Sequence, residues 1–352
     1  MTKSAPIRVL IAEDSSTARA LLTELFSSSP DFVVAGTAVN GSEAIERAIA
    51  LSPDLIIMDV YMPVVDGLDA TKEIMRESPT PIVMVSASVA ATDVAMGLSA
   101  TQAGAMILLA KPSNTKSPEF PEECRQLLSM AKAMAGVKVV RRWGGGAARV
   151  TPPSGRTAHP VRRVTMVAIG TSTGGPAALH RILIDLPPTF PVPIVVVQHM
   201  ARGFIDGLAK WLSANVALKV VVAEDGQRLV AGTVYLAPDE RHMGVRGDGR
   251  VALSSAAAVS AFRPSIDFLF DAYARGYDDG LVALILTGMG QDGVEGLKTV
   301  RTRGGRVIAQ DERSSVVFGM AQKAVEANLV HEILPLDGIG RRLNELVDAV
   351  PR

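Results

Sequence analysis

Val164-Thr-Met-Val-Ala-Ile169, followed at once by Gly170-Thr-Ser-Thr-Gly-Gly-Pro176, is the stretch on which the reading of the fold turns. A short β-branched apolar run is what a strand buried on both faces requires. The glycines that follow permit a tight turn, and Pro176 suits the first turn of a helix. Strand, glycine turn and helix together predict one βα unit, with Ser172 pushed out at the carboxyl edge of a parallel sheet. The rhythm continues downstream. Strands are expected near 194–197, 281–286 and 306–309, and helices near 176–185, 204–214, 265–277 and 294–302. Residues 234–253, broken by Asp239, Gly244, Gly247 and Gly249, predict an antiparallel hairpin at an edge.

Upstream, the same alternation occupies residues 1–135. Apolar runs at 7–12, 32–35, 55–58, 82–85 and 105–109 are separated by helical stretches, the last of them at 121–135. Five βα units of this size predict a doubly wound domain. The stretch between the two alternating regions differs in composition. From Gly136 to Arg163 there are seven Lys or Arg and no carboxylate, together with Gly144-Gly145-Gly146 and Pro152-Pro153. A basic, Gly/Pro-rich linker at 136–160 is therefore expected, followed by a second α/β domain at 161–352.

Whole-chain numbers narrow the function. The 352 residues are 48% hydrophobic, and 36 basic side chains balance 36 acidic ones. This balance argues against general nucleic-acid affinity, and no helix-turn-helix pattern supports a DNA-binding reading. A lone cysteine, Cys124, excludes an internal disulfide and any Cys-based zinc cage. No apolar run is long enough for a membrane span, and the run at 7–12 stops at Glu13-Asp14 without the small-residue cleavage site of a signal peptide, so a cytoplasmic protein is expected.

Four features of the first domain fall just after its strands: Glu13-Asp14, Asp59, Ser86 and Lys111-Pro112. In a doubly wound sheet such positions converge on one crevice. Clustered carboxylates raise one another's pKa unless a cation intervenes, and oxygen ligands with room for a phosphate suit Mg²⁺. Asp59 is then the phosphoryl acceptor, with Lys111 neutralising and Ser86 hydrogen-bonding the phosphoryl group. These residues, with Met62-Pro63 and Asp66-Gly67, resemble the receiver domain of two-component response regulators over residues 5–130. That resemblance implies phosphorylation of Asp59 by a histidine kinase, Mg²⁺ held by Glu13, Asp14, Asp59 and the Tyr61 carbonyl, and a cis peptide before Pro112. The sequence departs from the pattern at Leu108, where an aromatic is usual.

In the second domain the glycine turn alone fits a phosphate or dinucleotide loop as well as a nucleophile. Pro176 stands where a third glycine would fall, no Tyr-x-x-x-Lys pair exists and no P-loop lysine follows, so a hydrolytic Ser172 leads. Of five histidines, His199 directly follows a strand beside the serine turn and is the candidate base. Asp292, after the strand ending at 286, is the candidate orienting acid, with an ordinary helix cap as the alternative. The chain order Ser, His, Asp differs from that of α/β-hydrolases.

Gly170–Pro176, Gln198-His199-Met200, Ala237-Pro-Asp-Glu-Arg-His242-Met243, Arg263-Pro-Ser-Ile-Asp267, Thr287-Gly-Met-Gly-Gln-Asp-Gly293 and Ser315-Val-Val-Phe-Gly-Met320 occur in one order that resembles the chemotaxis protein-glutamate methylesterases, the CheB family. The resemblance implies a Ser172, His199 and Asp292 triad, with the backbone amides of Thr173 and Met289 as oxyanion donors. It further implies hydrolysis of glutamate γ-methyl esters on chemoreceptor cytoplasmic helices, glutamine deamidation in some members, and no cofactor in the esterase domain. A receptor-docking protein without catalysis is the rival, to be separated by methanol release.

Overall fold

The computed structural model describes residues 5–87, 91–105, 107–112, 115–136 and 163–348. The first unit runs β1 (Ile7–Ala12), α1 (Ser16–Ser27), β2 (Phe32–Ala38), α2 (Gly41–Leu51), β3 (Leu55–Asp59), α3 (Gly67–Glu77), β4 (Ile82–Ser86), α4 (Ala91–Ala103), β5 (Ile107–Ala110) and α5 (Phe120–Ala135). Its strands pair in parallel in the order β2-β1-β3-β4-β5. Strands β3 and β4 are buried along their whole length, as apolar runs covered by helices on both faces must be. The strand order reverses at β1 and β3, so a crevice opens at their carboxyl ends.

The second unit contains β6 (Met166–Thr171), α6 (Gly175–Leu183), β7 (Ile194–Gln198), α7 (Ile205–Asn215), β8 (Lys219–Val222), β9 (Thr233–Leu236), β10 (His242–Val245), β11 (Val251–Ser254), α8 (Ile266–Tyr277), β12 (Leu281–Ile285), α9 (Val294–Thr302), β13 (Arg306–Gln310), α10 (Met320–Glu326), β14 (Glu332–Leu334) and α11 (Leu336–Asp348). Seven of its strands form a parallel sheet in the order β14-β13-β12-β6-β7-β9-β8. Among the named strands of the described residues, only β10 and β11 pair antiparallel. Strand β9, grouped with that hairpin on sequence, instead joins the sheet beside β7. Its four residues are all buried, which a solvent-facing edge hairpin would not require. The edge strands β8 and β14 are short and escaped the sequence reading altogether.

Two expectations need qualification. Only the Arg263–Pro264 peptide is cis among the described residues, so the cis bond expected before Pro112 is absent. Most of the expected linker, from residue 137 to 162, lies outside the described residues.

The two units meet along the β5 edge of the first sheet, through α4 and α5. Val94 and Leu98 of α4 are at most 1% exposed and belong to one apolar cluster with Leu208 and Trp211 of α7. The Trp211 indole N–H donates to Ser99 Oγ at 3.2 Å. Lower down, Leu127 and Met130 of α5 share a cluster with Val316 and Val317. No helix among the described residues is long and apolar enough to cross a membrane.

Candidate active and phosphoryl-acceptor sites

In the second unit the strand order reverses around β6 and β12, and the candidate residues gather there. Ser172 follows β6, His199 follows β7 and Asp292 follows β12. Main-chain bonds tie these three strand ends together. His199 N–H donates to Thr171 O, Ser172 N–H donates to Thr287 O, and both bonds are 3.0 Å. Gly174, at φ +79°, makes the turn into α6, where a side chain would be strained and would strike Val316. Gly288 is equally constrained, because a Cβ there would lie 2.7 Å from Ser172 Cβ. Gln198 steadies the turn from beneath, its side-chain amide donating to Ser172 O and His199 O, both at 2.8 Å.

His199 Nε2 lies 3.0 Å from Asp292 Oδ2, with the two side chains 8% and 1% exposed. The approach is bent rather than in line. Neither ring nitrogen completes a hydrogen bond among the described residues: Nε2 meets Asp292 by distance alone, and Nδ1 has no partner. The imidazole face stacks on Phe262, with ring centroids 4.1 Å apart and planes 5° from parallel. Ser172 is nearly buried and makes no hydrogen bond to the imidazole in this arrangement. Catalytic hydrogen bonds are commonly looser before substrate binds.

Asp292 caps a helix, as its alternative reading held, but the helix is α8 rather than its own. Its Oδ1 accepts from Ser265 Oγ (2.9 Å) and Asp267 N–H (3.0 Å), and its Oδ2 accepts from Ile266 N–H (2.8 Å). Burial pushes its pKa up but is outweighed by His199 and these amides, which hold the carboxyl below its ordinary value. The relation is reciprocal. Asp267, in the first turn of α8, accepts from Gly293 N–H and Gly296 N–H at the start of α9, both at 2.9 Å. Burial and the neighbouring Asp292 push the Asp267 carboxyl up. Two adjacent carboxylates are thus driven apart in acidity by their surroundings.

His242, fully buried, accepts from Ser265 N–H at Nδ1 and contacts Ala257 O at Nε2, which fixes the Nε2–H tautomer. His242, Ser265 and Asp267 stood in the quoted motifs, but nothing in their spacing disclosed that they brace Asp292. Phe262 carried no sequence signal at all.

The candidate oxyanion residues lie beside the serine. Thr287 Oγ1 donates to Thr173 O (2.8 Å), and Gly288 O accepts from both Gly319 N–H and Met320 N–H, which holds the chain leading into Met289 in place. Met289 is 41% exposed, so this wall of the crevice faces solvent. Helix α5 closes in on the serine turn, with Thr173 Oγ1 3.5 Å from Met130 Sδ.

In the first unit the expected cluster forms. Lys111 Nζ lies 2.7 Å from Glu13 Oε2 and 2.8 Å from Asp59 Oδ2. Carboxylate oxygens of Glu13, Asp14 and Asp59 lie within 4.8 Å of one another. Glu13 and Asp59 are buried and Asp14 is exposed. Burial raises the pKa of both buried carboxyls, and for Lys111 the two carboxylates outweigh burial and raise it as well. Three carboxylates against one ammonium leave a formal charge of −2. A hard dication with oxygen ligands fits this site, since it would cancel that charge and relieve the desolvated pair. Ser86 is buried at the end of β4, where its carbonyl accepts from Lys111 N–H at 2.8 Å. Leu108, in the place of the usual aromatic, packs against α4 where a Cβ on Gly97 would come within 2.8 Å of it.

Two family models match the chain. Residues 167–343 match the family model described as CheB methylesterase, and residues 9–117 match the response regulator receiver domain. The chain is 51% identical over 346 residues to protein-glutamate methylesterase/protein-glutamine glutaminase 4 of Myxococcus xanthus, covering 97% of each chain. It is 46% identical to the corresponding protein 3 of Anaeromyxobacter dehalogenans, covering 96% of this chain and 98% of that one. The crystal structure of the Thermotoga maritima CheB methylesterase catalytic domain aligns with a TM-score of 0.51 at 42% identity, covering 53% of this chain and all of that one.

Proposed function

The chain belongs to the CheB methylesterase family, and from that premise we propose that it hydrolyses glutamate γ-methyl esters on chemoreceptors under control of its receiver domain. The observation that carries the chemistry is the His199–Asp292 pair, 3.0 Å apart at the carboxyl ends of strands flanking the Ser172 turn. With Nε2 turned to Asp292, Nδ1 is the nitrogen left to take the Ser172 proton. Ser172 Oγ then bonds to the ester carbonyl carbon, and the amides of Thr173 and Met289 face the oxyanion that develops. Imidazolium returns the proton to the departing methoxide, methanol leaves, and a water activated by His199 releases glutamate. Asp292 keeps the imidazole oriented and stabilises its cation. With ammonia as the leaving group, the same steps convert glutamine to glutamate.

The receiver supplies regulation. Asp59 takes the phosphoryl group from a histidine kinase, a P–N bond breaking as the P–O bond forms, and Lys111 and Ser86 hold the phosphoryl oxygens. Glu13, Asp14, Asp59 and the Tyr61 carbonyl would hold Mg²⁺, which when bound neutralises charge during transfer. The docked receiver, with Met130 against Thr173, narrows the way to Ser172, and phosphorylation shifts the population toward an open arrangement.

Methylated receptor helices and methanol release test this reading. Ser172→Ala should abolish release while Asp59 still accepts phosphate from a chemotaxis histidine kinase. Release persisting at the wild-type rate would remove Ser172 from the chemistry, and unchanged release on phosphorylation of the intact protein would remove the regulation.

A further inference from the structure

The imidazole of His199 is held on two sides, and only one of the contacts belongs to the triad. Its Nε2 edge meets Asp292, its Nδ1 edge is left for Ser172, and one face lies against Phe262 at 4.1 Å and 5°. A parallel contact this close fixes the plane of the ring, which a bent approach to Asp292 does not do alone.

The placement of Phe262 is built into the backbone. Val259 and Phe262 exchange both main-chain hydrogen bonds, at 3.1 and 2.9 Å, across a two-residue turn. The residues inside the turn are Ser260 (φ 52°) and Ala261 (φ 70°). Both angles are in the left-handed region, where glycine or asparagine is usual in such turns. A non-glycine pair there persists because surrounding structure holds it. Ser260 Oγ donates to Asp267 Oδ2 at 3.1 Å, which anchors the turn to the first turn of α8. Three residues beyond Phe262, Ser265 begins the contacts that grip Asp292. One short segment therefore carries both the ring above His199 and the groups that hold its carboxylate partner.

We infer that Phe262 is a positioning residue for the reaction, holding the His199 ring in the plane that turns Nε2 to Asp292 and Nδ1 to Ser172, and supporting that ring as it becomes cationic. The inference rests on the triad reading above. An aromatic face against imidazolium is favourable, and stacked aromatic pairs contribute beyond their buried area. The charge that follows the turn in the chain, Arg263, is paired with Glu240 at 2.6 Å.

The experiment uses the full chain and methylated receptor helices. Phe262→Leu should lower kcat about tenfold while leaving KM within about twofold, and Phe262→Tyr should restore most of the loss. The ring-proton resonances of His199, assigned by difference against His199→Ala, should be shifted upfield in the parent and in Phe262→Tyr and lose that shift in Phe262→Leu. If Phe262→Leu fails to fold, Phe262→Met removes the aromatic face at similar volume. Wild-type kcat in the ring-free variant, or a loss of kcat with the His199 resonances unmoved, overturns the inference. His199→Ala separates the two levels: retained turnover there would sink the triad itself, whereas abolished turnover beside a wild-type Phe262→Leu would sink only the positioning role.

Discussion

Removing a single hydroxyl from the receiver should raise the unphosphorylated esterase rate. Ser99 Oγ accepts the indole N–H of Trp211 at 3.2 Å, and Trp211 is only 3% exposed while the two units are docked. In Ser99→Ala the indole N–H stays buried with no acceptor, at a cost of about 1–3 kcal/mol. Undocking returns that N–H to water, so the penalty falls on the docked form alone. The docked-to-open equilibrium should move by about 5- to 150-fold, and basal methanol release should rise with the open fraction until it reaches the fully open rate. Neither Ser99 nor Trp211 belongs to the crevice, so the phosphorylated ceiling should hold and the stimulation ratio should shrink. Ser99→Thr keeps the hydroxyl and serves as the control. Replacing Trp143 by Phe leaves Trp211 as the one indole, and its emission should shift to longer wavelength as it meets water. A basal rate within twofold of the parent, with unshifted emission, would refute docking through α4 and α7 as the gate.

Three further outcomes follow from the carboxylates. Mg²⁺ at ten times its Kd should stabilise the receiver unit by about 1.4 kcal/mol, and Glu13→Gln should abolish most of that gain in a melting experiment. Asp267→Asn retains an oxygen for the Gly293 and Gly296 amides and should keep stability and turnover, whereas Asp267→Ala orphans both amides and should cost about 1–3 kcal/mol or more, measured by denaturant unfolding. Asp292 has a depressed pKa, so its contribution is complete above the ordinary carboxylate range and is lost as pH falls through its lower folded value. Stability of the parent should therefore fall more steeply than that of Asp292→Asn below about pH 4, and parallel curves would count against the pairing.

The alternation of apolar runs and amphipathic stretches was enough to predict two parallel sheets, because strands buried on both faces must read as continuous hydrophobic segments. Positions after those segments were legible as well. A parallel sheet sends every strand's carboxyl end to one edge, so Glu13, Asp59 and Lys111, or Ser172, His199 and Asp292, could be grouped by their place relative to strands. The short edge strands β8 and β14 were not legible, since three or four residues with exposed positions carry little periodic signal. Strand β9 was misgrouped because its neighbours in sequence are turn-rich, while its partner in space, β7, lies some forty residues away. Which nitrogen of His199 meets Asp292, the mutual capping by Asp267 and Asp292, the stacking of Phe262 and the contact of Met130 with Thr173 were decided only by the tertiary structure. Each depends on two segments far apart in the chain arriving at one point with defined orientations, and a linear pattern records spacing along a strand or helix but not the rotation of one element against another.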